Sequence, residues 1–89
     1  MIIKELQYTN LFEERFRKLS VDIQKKALKA ESLFRQNPLH PSLRLHKLKG
    51  RLKDGWSISI DVKNRIIFRV MPDGVIVFSN IGSHAIYEE

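Results

Sequence analysis

Three β-branched and aromatic runs in the second half of the chain are separated by gaps too short for anything but a turn. Trp56, Ile58 and Ile60 alternate with Ser57, Ser59 and Asp61, the period of a half-buried strand. Val62-Lys63-Asn64 separates it from Arg65-Ile66-Ile67-Phe68-Arg69-Val70, whose composition suits a central strand. Pro72-Asp73-Gly74 then turns the chain into Gly74–Ile81, the last strand. Parallel neighbours need a crossover of a dozen or more residues, so these runs pair as an antiparallel meander.

The first half carries a different period. Met1–Tyr8 alternates loosely and reads as a first strand. Asn10 with Glu13 has the spacing of a capping box, and Phe12, Phe16 and Leu19 follow at helical spacing, which predicts a helix over 10–19. Ser20 can cap a second helix, with Asp22 at its positive end. Along that helix Ile23, Ala27, Ala30 and Phe34 share a face, Lys25, Lys26 and Lys29 lie off it, and Asn37-Pro38 stops it. After a loop over Leu39–Ser42, the alternation of Leu43 and Leu45 predicts a short irregular strand ending at Gly50. Ser83 can open a last helical turn through Tyr87. The order β-α-α-β-β-β-β predicts an α+β fold: a mostly antiparallel, curved sheet of about five strands carrying an N-terminal helical hairpin.

With 89 residues this is expected to be one domain, 1–89, and a modest core, since a chain of this size buries only about 60–65% of its unfolded surface. There are no cysteines, which excludes a disulfide scaffold, a thiolate zinc site and a cysteine nucleophile. No apolar run approaches the roughly 20 residues that cross a bilayer. The pair Lys4-Glu5 interrupts the apolar start, so no signal peptide is expected, and the reading is of a soluble cytoplasmic protein.

The net charge of +6 is unevenly spread. Residues 35–69 hold nine basic residues against Asp54 and Asp61, for +7. Such a concentration attracts polyanions by a sequence-independent, salt-sensitive force. His40, His46 and His84 lack metal-ligand spacing, and no phosphate-binding glycine loop is present, so neither a metal nor a cofactor is expected. Polar groups instead gather at strand ends. His46 with Lys47, Lys49, Arg51 and Lys53 lies on and after the first central strand, Asp61 and Arg65 flank one tight turn, and His84 follows the last strand. If these meet, they suit RNA cleavage by attack of the 2′-OH. That reaction needs a base, an acid and cations for the crowded phosphorane. Histidine serves the first two roles and the arginine fork the third. Trp56 is expected in the core, and Tyr87 either stacks on a base, hydrogen-bonds a phosphate or pins the tail.

The stretch Pro41-Ser42-Leu43-Arg44-Leu45-His46-Lys47-Leu48-Lys49-Gly50, then Trp56-Ser57-Ile58, then Arg65–Val70, then Ile81-Gly82-Ser83-His84 with Tyr87 soon after, resembles the RelE/ParE toxin superfamily of type II toxin–antitoxin systems. Within it the chain is most similar to the RelE and YafQ-like mRNA interferases. The resemblance covers nearly the whole chain. It implies an endoribonuclease that cuts mRNA, often in the ribosomal A site, and that a cognate antitoxin holds inactive. It implies catalytic roles for His46, Arg65, His84 and Tyr87, with Arg65 on phosphate and the two histidines as acid and base in either order. It places Lys47, Lys49, Arg51, Lys53 and Asp61 against RNA. Ser57 and Ser59 stand where RelE proper carries paired lysines, and Asp61 lies near a position that is histidine in YafQ-like members. The alternatives are a ParE-like DNA gyrase inhibitor, which lacks the histidine pair, and a non-toxic homologue that only binds an antitoxin. The basic middle and small core imply an acidic or amphipathic antitoxin segment wrapped on that surface.

Overall fold

The computed structural model describes residues 2–50 and 54–88, with the backbone alone for His84 and Glu88. Its elements are β1 (Glu5–Tyr8), α1 (Asn10–Lys18), α2 (Val21–Gln36), β2 (His46–Lys47), β3 (Trp56–Ser59), β4 (Asn64–Val70) and β5 (Val75–Ser83). Short 3-10 turns occupy Pro41–Leu43, Pro72–Gly74 and His84–Glu88. The strands form one sheet in the order β1-β5-β4-β3-β2.

The meander β3-β4-β5 is antiparallel, as the short turns require. β1 adds to β5 in parallel, Leu6 opposite Ile76 and Tyr8 opposite Phe78, so the sheet is mixed at one edge. β1 is shorter than the predicted 1–8.

The start of α1 differs by one residue from the expectation. Thr9, not Asn10, is the N-cap, its Oγ1 accepting from the Phe12 N–H at 3.1 Å. The same hydroxyl donates to the Ser79 carbonyl at 2.9 Å, so one side chain caps the helix and fastens it to β5. Ser20 caps α2 as expected, accepting from the Ile23 N–H at 3.3 Å, and Asn37 closes it.

The predicted strand over 43–50 shrinks to His46–Lys47 for a local reason. His40 caps the Pro41–Leu43 turn, its Nδ1 accepting from the Ser42 N–H at 3.2 Å. Arg44 then takes a left-handed conformation with φ 48°, which breaks any strand there.

One face of the sheet carries both helices. Ile58, Ile66, Phe68, Ile76, Phe78 and Ile81 point toward Phe12, Ala27, Ala30 and Phe34, and all are buried. Phe34, Phe68 and Phe78 form the centre, their ring centroids 5.0–6.1 Å apart. Trp56 is half-buried at the margin of this core. Ser79 is an extra residue in β5, since Ile67 pairs with Asn80 and Phe68 with Phe78. Such a bulge bends its strand and keeps hydrophobic residues inward on both sides of it.

Candidate functional site

Alternation places a second set of residues on the sheet face opposite the helices. Cross-strand pairing puts His46, Ser57, Ile67 and Asn80 in one row of that face, and Ser59, Arg65 and Gly82 in the next. His46 and Arg65 are thus two strands and two residues apart, roughly 12 Å between Cα atoms on a sheet of ordinary spacing.

The tail covers part of this face. After β5 the chain turns back through His84–Glu88, and Ile86 packs on Leu48 and Ile67 with Tyr87 alongside. Gly82 lets it approach: a Cβ there would stand 2.9 Å from Ile86 Cγ2. The Tyr87 hydroxyl bonds the Ser57 Oγ at 2.7 Å, so this ring pins the tail across the sheet. Ser57 is fully buried beneath it.

His46 is exposed. Its Nδ1 lies 3.3 Å from the Arg44 carbonyl oxygen. A carbonyl only accepts, so that contact requires Nδ1–H, and in the neutral ring Nε2 is then the unprotonated nitrogen, the form a general base needs.

Arg65 is 8% exposed. Its Nη1 donates to the carbonyl oxygens of Asp61 and Asn64, the latter at 2.9 Å. The guanidinium therefore clips the β3–β4 turn, and its other N–H groups have no partner among the described residues. Tight-turn spacing predicts that Asp61 and Arg65 are neighbours, and they are. The contact runs to the backbone carbonyl, because the Asp61 carboxylate is otherwise engaged. It accepts from the Lys63 N–H at 3.0 Å, the Asn64 N–H at 2.7 Å and Asn64 Nδ2 at 3.1 Å, and it faces Lys26 Nζ at 3.6 Å. Burial pushes the Asp61 carboxyl up. The hydrogen bonds from Asn64 and Lys63 and the nearby Lys26 charge outweigh it and hold the group below the ordinary aspartate value.

This gives a stability prediction. Asp61→Ala removes an acceptor shared by three N–H groups and is expected to cost about 1–2 kcal/mol. A depressed carboxyl contributes stability that is complete above its unfolded-state pKa and lost as pH falls through the folded one. The gap between parent and variant urea midpoints should therefore hold near neutral pH and shrink below about pH 4.

The remaining expected residues separate. Lys47 pairs with Trp56 on the helix-side face, its Nζ 5.8 Å from the Trp56 ring centroid, so it points away from the His46 row. Lys49 is exposed beyond β2. Arg51 and Lys53 lie outside the described residues, as does the side chain of His84, whose backbone begins the turn after β5. His40 is committed to its own turn, with Nδ1 also 2.8 Å from Ser42 Oγ. Sequence reasoning missed Ser57 as the anchor of Tyr87. It also missed Arg15, whose Nη1 donates to Asn80 Oδ1 at 3.1 Å and brings α1 to the edge of the same face. Among the described residues no group of three or more His, Asp or Glu side chains is placed to hold a metal. Nor is any helix among them long and apolar enough to cross a membrane.

No protein-family model matches the chain, and no curated protein matches it. Solved structures do. YafQ from E. coli strain BL21(DE3) superimposes with a TM-score of 0.71 at 18% identity, over 91% of this chain and 93% of that one. A YoeB/ParE toxin from Agrobacterium tumefaciens gives 0.75 at 18% identity, over 90% and 98%. The archaeal RelE of a RelE–RelB complex from Pyrococcus horikoshii OT3 gives 0.71 at 16% identity, over 93% and 96%. These are toxins of the RelE/ParE superfamily, and the chain has their fold: two helices on one face of a five-stranded sheet.

Proposed function

We propose that this chain is the toxin of a type II toxin–antitoxin pair and that it acts as an mRNA endoribonuclease on the helix-free face of its sheet. The observation that carries the reading is His46, an exposed imidazole with its Nδ1–H held by a backbone carbonyl, on the same face as Arg65 and Tyr87. Its free Nε2 suits it to take the proton of a ribose 2′-OH. The 2′-oxygen then attacks phosphorus, and the 5′-oxygen leaves with a proton supplied by an acid, for which His84 is the candidate. The products are a 2′,3′-cyclic phosphate and a 5′-hydroxyl. The uncommitted N–H groups of Arg65 serve the phosphorane oxygens, and Lys49 with the neighbouring basic residues raises the local concentration of RNA. Tyr87 positions the tail, and with it His84, through its bond to Ser57. The scheme needs no metal or cofactor.

The shared fold supports the toxin role. So does the presence of antitoxin complexes among its solved relatives, such as the E. coli DinJ–YafQ complex. An acidic antitoxin segment fits the basic middle third of the chain.

The burial of Arg65 favours a second reading, a ParE-like module that binds DNA gyrase without cutting RNA. Primer extension on transcripts from cells expressing the chain separates the two. Discrete new 5′ ends within mRNA support the nuclease. Intact mRNA with accumulated DNA breaks supports the gyrase binder, and normal growth with neither leaves only antitoxin binding.

A further inference from the structure

On the helix side of the β3–β4 turn, a groove of about 300 Å³ runs between α2 and the segment before β2. Lys26 and Lys29 line it from α2, with Ser42 from the 3-10 turn and Ser59 and Asp61 from β3 and its turn. Lys26 and Lys29 are exposed, one helical turn apart on the same face, and Lys63 stands exposed two residues after Asp61. The single carboxylate in the groove is already saturated by the turn's N–H groups and by Lys26. Lys29 has no ion-pair partner among the described residues. The groove is also joined to the candidate active site. Arg65 grips the Asp61 carbonyl from one side of the turn, and Lys26 meets the Asp61 carboxylate from the other. One residue thus separates the cation of the cleavage face from the cations of α2.

We propose that this groove is a second phosphate-binding surface, which takes the RNA backbone flanking the cleaved bond after it rounds the β3–β4 turn. The inference rests on the nuclease reading and extends it to a contact the family resemblance does not assign. Its occupant is a sugar-phosphate backbone rather than an acidic peptide because Asp61, which lines the groove, is gripped by Arg65 of the cleavage face. Its point-charge ammonium groups also suit phosphate oxygens in any sequence.

The test compares the parent, K26A/K29A and the charge-preserving K26R/K29R by fluorescence anisotropy. The probe is a fully 2′-O-methylated, uncleavable single-stranded RNA about twelve nucleotides long, well within the range such grooves track. Removing one lysine–phosphate pairing reduces the slope of log affinity against log salt by about 0.7. K26A/K29A is therefore expected to flatten the slope by about 1.4 and to weaken binding about 25-fold near 0.1 M salt. K26R/K29R should restore both. Binding of a 2′-O-methylated dinucleotide and cleavage of a short unmodified substrate should not change, because neither reaches the groove. If the parent binds the long RNA and K26A/K29A binds it with the same slope, this inference is wrong and the nuclease reading stands. If K26A/K29A instead loses only an oligoglutamate peptide, the groove belongs to a protein partner. If the parent binds no RNA, both readings fall.

Discussion

Phe78→Ala is expected to cost about 3–5 kcal/mol, the range for emptying a fully buried phenylalanine site. The ring has no exposure, and its centroid lies 5.5–6.1 Å from those of Phe12, Tyr8, Phe34 and Phe68. Phe12 and Phe34 come from the helices, Tyr8 from β1 and Phe68 from β4, so the ring ties both helices to three strands, its own included. The backbone around Phe78 is committed as well: its carbonyl accepts from the Thr9 N–H, at the junction of β1 and α1. These surroundings leave the cavity little room to collapse. A chain of 89 residues has a net stability of about 4–13 kcal/mol, so the variant loses a large share of it. Urea titration should show a much lower midpoint with an unchanged slope. Leu28→Ala, at a side chain 57% exposed, should change the stability by no more than about 0.5 kcal/mol. Equal shifts for the two variants would mean that Phe78 is not the centre of the core.

His46→Gln is expected to lower the rate of RNA cleavage by about 10²–10⁴, the usual contribution of a positioned general base. Glutamine keeps polarity and size but cannot take a proton. Because His46 is exposed and its ring bonds only the Arg44 carbonyl among the described residues, the stability should stay within about 0.5 kcal/mol of the parent. A cleavage rate within threefold or so of the parent would remove His46 from the chemistry.

The strands after Trp56 are legible because two independent signals agree there, side-chain alternation and the turn residues Asp61–Asn64 and Pro72–Gly74. The parallel pairing of β1 with β5 has no local signal, since it depends on residues some 70 apart in the chain. The shortening of β2 follows from a histidine cap and a left-handed arginine, and neither is a residue type that marks a break. Within the site, the neighbourhood of Asp61 and Arg65 follows from turn length. The atoms that meet do not, because the turn's own N–H groups compete for the carboxylate. The opposite faces of His46 and Lys47 follow from strand parity alone, although a charge count treats them as one cluster. Ser57 as the anchor of Tyr87 is legible only once the path of the tail is known, 30 residues further along.

Cleavage on the helix-free face, as proposed, uses the substrate's own 2′-OH as nucleophile, and removing that hydroxyl probes the chemistry at its source. A short RNA that the purified protein cuts at one bond is compared with the same RNA carrying a single 2′-deoxy sugar on the 5′ side of that bond. The unmodified RNA should yield a 2′,3′-cyclic phosphate, and the deoxy bond should stay intact, even in excess chelator. Cleavage at the deoxy bond at an undiminished rate would show that water or another nucleophile does the cutting.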